Sequence, residues 1–137
     1  KVIGVGSLGY VFANLYAPTT TVIAVKGIFG HNRVTLEVSQ RELHVIVGHS
    51  HPNLVRVFCE FEFGRPLVYA DRCPDYRRTN SDYMGYMEVA AVTDQVLQGF
   101  DYLHSKSIVH LDIKGTNLLI SMEGCVKIGE LGSARPL

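Results

Sequence analysis

The stretch His110–Asn117, HLDIKGTN, decides how the rest of the chain is interpreted, because it places three complementary side chains in one short loop. An acid (Asp112), a base (Lys114) and an amide (Asn117) lie between an amphipathic helical pattern and an apolar strand-like pattern. At one phosphoryl group, the carboxylate can orient a hydroxyl nucleophile, the ammonium can offset phosphate charge and the amide oxygen can hold a metal ion. A simple polar turn between two apolar elements fits the same octapeptide, so other features of the sequence must decide.

The composition restricts the class of protein. The chain has 137 residues, of which 47% are hydrophobic and 19% charged, so it can bury a core. Its 13 basic and 13 acidic residues give a formal net charge of zero, which provides no electrostatic reason to expect nucleic acid or a membrane as partner. No apolar run reaches the ~20 residues that span a bilayer. The three cysteines form no CxxC pair and favour a reducing, cytoplasmic setting.

The first 27 residues predict three strands separated by turns. Between the first two strands, Gly4, Gly6, Gly9 and Val11 form the pattern GxGxxGxV. Glycines at this spacing let backbone N–H groups approach phosphates, although a tight hairpin also uses glycine. A strand rather than a helix follows the third glycine, which argues against a dinucleotide-binding βαβ unit.

Two charged residues are predicted on apolar faces and are best explained together. In TVIAVK, strand alternation places Lys26 on one face with Val22 and Ala24, where a lysine is costly unless an anion meets it or its ammonium reaches water. Residues 32–47 predict a helix with Asn32 as its cap. Its apolar stripe consists of Val34, Val38, Val45 and Ile46. Glu42 lies inside this stripe. A buried carboxylate needs a cation, so we expect Glu42 to pair with Lys26.

The remaining elements follow from the same patterns. Residues 54–63 and 66–71 predict two strands joined by Gly64 and Arg65, and a polar irregular segment follows. A long helix is expected from about residue 84 to 105, with LLI and VKI as a strand pair around the turn MEGC. The core residues expected on the long helix recur at helical spacing: Val89, Val92, Val96, Phe100 and Leu103.

In order along the chain, these pieces resemble the eukaryotic protein kinase catalytic domain of the serine/threonine type. GVGSLGYV resembles the Gly-rich loop, IAVK the strand-three lysine motif, and HLDIKGTN the catalytic loop. Glu42 lies where the family has its helix-C glutamate, and GELG lies where it has DFG. The resemblance implies an α+β fold, with a five-stranded antiparallel N-lobe sheet and helix C over residues 1–71. Residues 72–137 would then form the hinge and the start of a helical C-lobe.

The resemblance also implies roles for individual residues, with ATP and Mg²⁺ as cofactors and a protein as substrate. Asp112 would accept or orient the substrate hydroxyl proton, Lys114 would approach the γ-phosphate, and Lys26 would contact phosphates and pair with Glu42. Asn117 and Glu130 would hold metal. The residues implied in ATP binding run from the phosphates to the adenine: Gly4, Val5, Gly6, Ser7, Gly9, Val11, Ala24, Lys26, Tyr69, Ala70, Arg72 and Leu119.

Some residues depart from the family pattern. Glu130 replaces the aspartate of DFG and Leu131 its phenylalanine, so the carboxylate lies one methylene further from the backbone. A displacement of more than ~1 Å can cost about 100-fold in rate. Leu111 replaces the arginine that usually precedes the catalytic acid, and Ala70 a common hinge acid. These departures support an alternative, a pseudokinase that binds nucleotide or partners without useful catalysis.

The resemblance reaches its end at the metal-binding loop, so the activation segment and later C-lobe helices are expected to be absent from these 137 residues. We therefore expect weak or no peptide phosphorylation by the chain itself. We also expect an exposed apolar surface, which self-association could cover.

Overall fold

The N-terminal part of the chain forms antiparallel strands, as its β-branched residues and turn signals predict. The computed structural model describes residues 2–6, 9–16, 20–28, 33–56, 59–62, 67–72, 77–78 and 84–137. The chain divides into two compact units. The first consists of Lys1–His49 with Arg56–Pro74, and the second of Ser50–Val55 with Asp75–Leu137.

The described residues of the first unit form a five-stranded antiparallel sheet and one helix. The strands are β1 (Val2–Gly6), β2 (Gly9–Tyr16), β3 (Thr21–Ile28), β4 (Cys59–Glu62) and β5 (Leu67–Arg72), in the spatial order β1-β2-β3-β5-β4. Helix α1 (Arg33–Val47) lies between β3 and β4 in sequence. This sheet confirms the α+β architecture and places the lysine strand β3 at its centre.

The predicted boundaries hold better for α1 than for the strand after it. Helix α1 begins and ends within one residue of the expected 32–47, although its predicted cap Asn32 lies outside the described residues. The strand expected at 54–63 is wrong at its start, because residues 54–56 lack strand structure apart from a single bridge between Leu54 and Ile128. Leu54 is instead buried in the second unit.

The second unit is built on one long helix. Helix α2 (Tyr86–Ser105) is preceded by Gly85, whose N–H donates to Glu88 Oε2 at 2.8 Å. Short strands flank this helix in sequence. Strand β6 (Arg77–Arg78) precedes it and forms a three-stranded sheet with β8 (Leu118–Ile120) and β9 (Val126–Ile128), while β7 (Ile108–Val109) pairs with β10 (Arg135–Pro136). Gly124, in the predicted MEGC turn, has φ of +80°, which glycine adopts without strain.

The core of the second unit lies between α2 and the short strands. The largest fully buried apolar residues described in this unit are Leu54, Leu103, Val126, Ile128 and Leu131. Gly99 on α2 permits this close approach, because a Cβ there would lie 2.7 Å from Ile128 Cδ1 and 3.3 Å from the Asn53 carbonyl oxygen.

Several apolar residues that the helical patterns assign to the core are exposed. Val34, at the start of α1, is 69% exposed, and Val89, near the start of α2, is 49% exposed. The buried apolar stripe of each helix is therefore shorter than predicted. On α2 the exposed large apolar side chains include Tyr86, Met87 and Leu97. None of the described helices is long and apolar enough to cross a membrane.

Candidate functional site

In the first unit, Lys26 and Glu42 form the expected ion pair. The Nζ atom of Lys26 on β3 lies 3.0 Å from Oε1 and 2.9 Å from Oε2 of Glu42 on α1, so both carboxylate oxygens accept from the ammonium. The two side chains are only 7% and 2% exposed. In this environment the pair is little screened by solvent, and either charge without the other would be costly.

Helical spacing explains why α1 directs Glu42 inward. Ser39, Glu42 and Leu43 are all buried and lie three or four residues apart or adjacent on one face. The hydroxyl of Ser39 donates to the Thr35 carbonyl oxygen at 2.7 Å, which satisfies this buried polar group within the helix. Glu42 therefore lies on a buried face of α1 whose two buried polar side chains, Ser39 and Glu42, are both hydrogen-bonded.

The burial of Lys26 has a different cause from the one that strand alternation predicts. Val22 lies on the same face of β3 but is 48% exposed, and Ala24 is half-buried. This face of β3 is therefore not buried along its whole length. Lys26 is buried at the end of β3 where its ammonium meets the carboxylate of α1.

The glycine pattern lies on the hairpin of β1 and β2. Gly6 pairs with Gly9, Val5 with Tyr10 and Gly4 with Val11. Gly6 ends β1 and Gly9 begins β2, while Ser7 lies outside the described residues. The register continues across the sheet, since Val11 is opposite Lys26.

The other residues expected to contact a nucleotide lie on three strands. Ala24 is on β3, opposite Ala13 and Asp71. Tyr69, Ala70 and Arg72 are on β5, where only their backbone is described, and Tyr69 is opposite Lys26. Leu119 is half-buried on β8 in the second unit.

In the second unit, the loop from His110 to Asn117 gathers three candidate side chains around one carboxylate. Asp112 Oδ2 accepts a hydrogen bond from Lys114 Nζ at 2.8 Å and another from Asn117 Nδ2 at 3.1 Å. The same Asn117 nitrogen also donates to the Asp112 carbonyl oxygen at 2.7 Å. These bonds fix the carboxylate between an ammonium and an amide, so the octapeptide is more than a simple polar turn.

The electrostatics of the loop keep Asp112 ionised. The hydrogen bond from Lys114 is the largest influence lowering the pKa of Asp112 below its usual value, and the bond from Asn117 is the next. Desolvation opposes them without reversing the direction. At neutral pH the group is a carboxylate that can accept a hydrogen bond from a hydroxyl nucleophile.

His110 joins the loop to the segment that carries Glu130. Its ring Nδ1 accepts from the Asp112 N–H at 3.2 Å, and its Nε2 lies 3.0 Å from the Gly129 carbonyl oxygen. Since Nδ1 is an acceptor, Nε2 must carry the proton and donate it to Gly129. His110 is only 2% exposed, and burial is the main cause that lowers its pKa below 6.5.

Glu130 and Asn117 are brought close through the backbone. The N–H of Gly129 donates to the Asn117 carbonyl oxygen at 2.9 Å, so the residue before Glu130 lies beside Asn117. Because Asn117 Nδ2 donates to Asp112, its amide oxygen points away from those two bonds and can act as a ligand. A carboxylate and an amide oxygen are the hard ligands that Mg²⁺ prefers, so this pair fits the cation that the resemblance implies.

Two residues of this region have left-handed backbone conformations that are uncommon for their type. Leu111 has φ of 65° and is 64% exposed, and Glu130 has φ of 59° and ψ of 54°. Such conformations cost of order 1 kcal/mol and persist where the surrounding structure enforces them. They flank the buried contacts of His110, which accounts for their persistence.

Sequence reasoning missed the polar residues that hold the loops in place. His110 received no role, although it begins the decisive octapeptide. Asn53 Nδ2 donates to the Val126 carbonyl oxygen at 3.0 Å and to Gln95 Oε1 at 3.2 Å, and Gln95 also accepts from the Val126 N–H. No spacing or apolar pattern in the sequence marks Asn53 or Gln95 as a buried polar contact.

Comparisons with known proteins identify the family. The sequence matches the protein kinase domain family over residues 1–137. It is 31% identical over 135 residues to mitogen-activated protein kinase kinase kinase 4 of Mus musculus, which covers 95% of this chain and 8% of the mouse protein. It is 34% identical over 142 residues to serine/threonine-protein kinase max-2 of Caenorhabditis elegans, with 96% and 21% covered.

A third relative is the probable serine/threonine-protein kinase MRK1 homolog of Encephalitozoon cuniculi, 32% identical over 144 residues, with 98% of this chain and 44% of that protein covered. The chain thus spans less than half the length of these relatives. The match over all residues, together with the Lys26–Glu42 pair and the hydrogen-bonded Asp112, shows that the chain belongs to the protein kinase domain family.

Proposed function

We propose that this chain provides catalytic parts of a serine/threonine protein kinase, which transfers the γ-phosphoryl group of ATP to hydroxyl groups of a protein substrate. The observation that carries the proposal is the Asp112 carboxylate, which Lys114 and Asn117 hold in place through hydrogen bonds that also lower its pKa. The two relatives named as serine/threonine-protein kinases support the same reaction class. The division into lobes at residues 71 and 72 remains a prediction within this proposal.

In the second unit, Asp112, Lys114 and Asn117 of the octapeptide each have a proposed task. Asp112 orients the attacking hydroxyl and accepts its proton, while the ammonium of Lys114 stabilises negative charge on the transferred group. Asn117 and Glu130 supply two oxygen ligands to Mg²⁺, and nucleotide phosphates supply others, because Mg²⁺ sites of this kind use few protein ligands. When bound, the ion offsets charge on the phosphates.

In the first unit, the proposed task is to hold phosphates. Lys26 donates to them from β3, and Glu42 fixes the direction of the ammonium through two hydrogen bonds. Backbone N–H groups near Gly4, Gly6 and Gly9 can approach phosphates without obstruction by a Cβ atom. The proposed adenine contacts of this unit come from Val11 and Ala24.

The test is ATP turnover in Mg²⁺ by the chain and by its Asp112→Asn variant, with release of inorganic phosphate measured. Water can replace the protein hydroxyl as acceptor, so turnover needs no peptide-binding surface. We expect slow turnover that falls by about 10²-fold or more in the variant, the usual scale of general acid–base catalysis. A matched control is Glu123→Asn, an exposed acid in the turn between β8 and β9, which should leave turnover unchanged.

A second function is favoured by one specific feature, the glutamate at position 130. If its longer side chain prevents the correct metal arrangement, the chain binds nucleotide without catalysing transfer. ATP binding that depends on Lys26, combined with turnover equal in wild type and Asp112→Asn, would identify such a nucleotide-binding module.

A further inference from the structure

The backbone around Glu130 is held on both sides. Before it, Gly129 donates its N–H to the Asn117 carbonyl oxygen at 2.9 Å, and its own carbonyl oxygen accepts from His110 Nε2 at 3.0 Å. After it, Leu131 is 1% exposed and begins a short 3₁₀ turn, closed by the Ala134 N–H at 3.0 Å. Glu130 itself is in the left-handed conformation, which few non-glycine residues adopt without such constraint.

The other proposed ligand is equally constrained. Asn117 is buried, and its Nδ2 donates to both the carbonyl oxygen and the carboxylate of Asp112. Asn117 cannot move away from a bound cation without breaking its hydrogen bonds to Asp112, and the backbone at Glu130 cannot do so without breaking those of Gly129. The additional methylene of glutamate, about 1.5 Å of C–C bond, must therefore be accommodated by the side chain and the ion rather than by the loop.

We propose that Glu130 relaxes the cation selectivity of this site, so that Ca²⁺ supports nucleotide binding nearly as well as Mg²⁺. The inference rests on the proposed function, because it assumes that Asn117 and Glu130 hold a nucleotide-bound cation. Mg²⁺ demands near-ideal octahedral geometry with ligands at about 2.0–2.1 Å, whereas Ca²⁺ accepts six to eight ligands at about 2.3–2.6 Å in flexible geometry. A carboxylate displaced from the ideal ligand position is better tolerated by Ca²⁺, because the coordination number and geometry of Ca²⁺ are flexible.

The test compares ATP affinity, measured by isothermal titration calorimetry, in Mg²⁺, in Ca²⁺ and in EDTA. It uses the 137-residue chain, its Glu130→Asp variant and the control Glu123→Asp, which makes the same change in an exposed turn of the same unit. We expect Glu130→Asp to strengthen ATP binding in Mg²⁺ by about tenfold, the scale on which changes around a metal ligand alter affinity, and to change it little in Ca²⁺. The control should change neither affinity.

Other outcomes would overturn the inference in distinguishable ways. If the ratio of the Mg²⁺ and Ca²⁺ affinities is the same in wild type and Glu130→Asp, cation selectivity does not depend on this side chain, while the proposed function stands. If ATP binds equally in EDTA and in both cations, the proposed metal role fails together with the inference.

A further variant, Glu130→Gln, keeps the side-chain length and removes its charge. It should weaken ATP binding in both cations toward the value in EDTA. Unchanged binding in this variant would show that Glu130 is not a ligand. Circular dichroism of each variant confirms that the proteins compared are folded.

Discussion

Breaking the ion pair between Lys26 and Glu42 should strongly destabilise the first unit. In the variant Glu42→Gln, the ammonium of Lys26 loses a carboxylate that accepts from it at 2.9 and 3.0 Å, at a position where Lys26 is 7% exposed. Removing one partner of a buried ion pair costs about 3–5 kcal/mol, because the remaining charge stays desolvated. That loss is a large fraction of the stability of a small domain.

The assay is urea unfolding followed by circular dichroism, with two further variants. Replacing both residues, as in Lys26→Met with Glu42→Leu, removes both charges and should recover most of the loss. The matched control is Glu37→Gln, which breaks the pair with Arg33 at 2.9 Å on the same helix; those side chains are 53% and 91% exposed, so a change of at most about 1 kcal/mol is expected. Equal losses in Glu42→Gln and Glu37→Gln would refute the reasoning.

Three further predictions concern the second unit. Gly99→Ala should lower the free energy of unfolding by about 1–3 kcal/mol, measured by urea unfolding, because its Cβ would lie 2.7 Å from the buried Ile128 Cδ1; an unchanged midpoint would contradict this. Because burial lowers the folded-state pKa of His110 below 6.5, the unfolded chain takes up a proton first as the pH falls, and stability should decline from about pH 6.5 toward that folded pKa. His110→Gln should lose this component of the pH dependence, and identical pH slopes would count against it. Lys114→Met should raise the pKa of Asp112, followed by NMR titration, since the Lys114 hydrogen bond is the main cause of its depression; an unaltered titration would exclude that cause.

The sequence was most informative where a charged residue lay on a face predicted to be apolar. Lys26 and Glu42 could be paired because each lay on a predicted apolar face, and an isolated buried charge is too costly to persist. The bounds of α2 followed from its helical period, which is a local property. Asp112, Lys114 and Asn117 lie within six residues of one another, so their contacts required only one loop to form.

The features that the sequence did not predict are mostly contacts between distant parts of the chain. The Asn53 side chain meets the Val126 carbonyl oxygen across 73 residues, and His110 meets Gly129 across 19, and neither contact leaves a periodic signal. Periodicity also cannot tell how far along an element the core extends, which is why Val34 and Val89 were assigned to the core although both are exposed. Leu54 was assigned to a strand because it begins an apolar segment. That local pattern could not show that Leu54 packs in the second unit.

The central claim is that Lys26 binds the phosphates of ATP while Asp112 acts on the acceptor. The most direct measurement is the ATP dissociation constant in Mg²⁺, determined by calorimetry for wild type, Lys26→Met and Asp112→Asn under conditions where circular dichroism shows each to be folded. The account predicts that Lys26→Met weakens binding by about tenfold or more, the loss of at least about 1.4 kcal/mol, while Asp112→Asn binds as wild type does. Equal affinity in wild type and Lys26→Met, or no binding of ATP by any of the three, would contradict it.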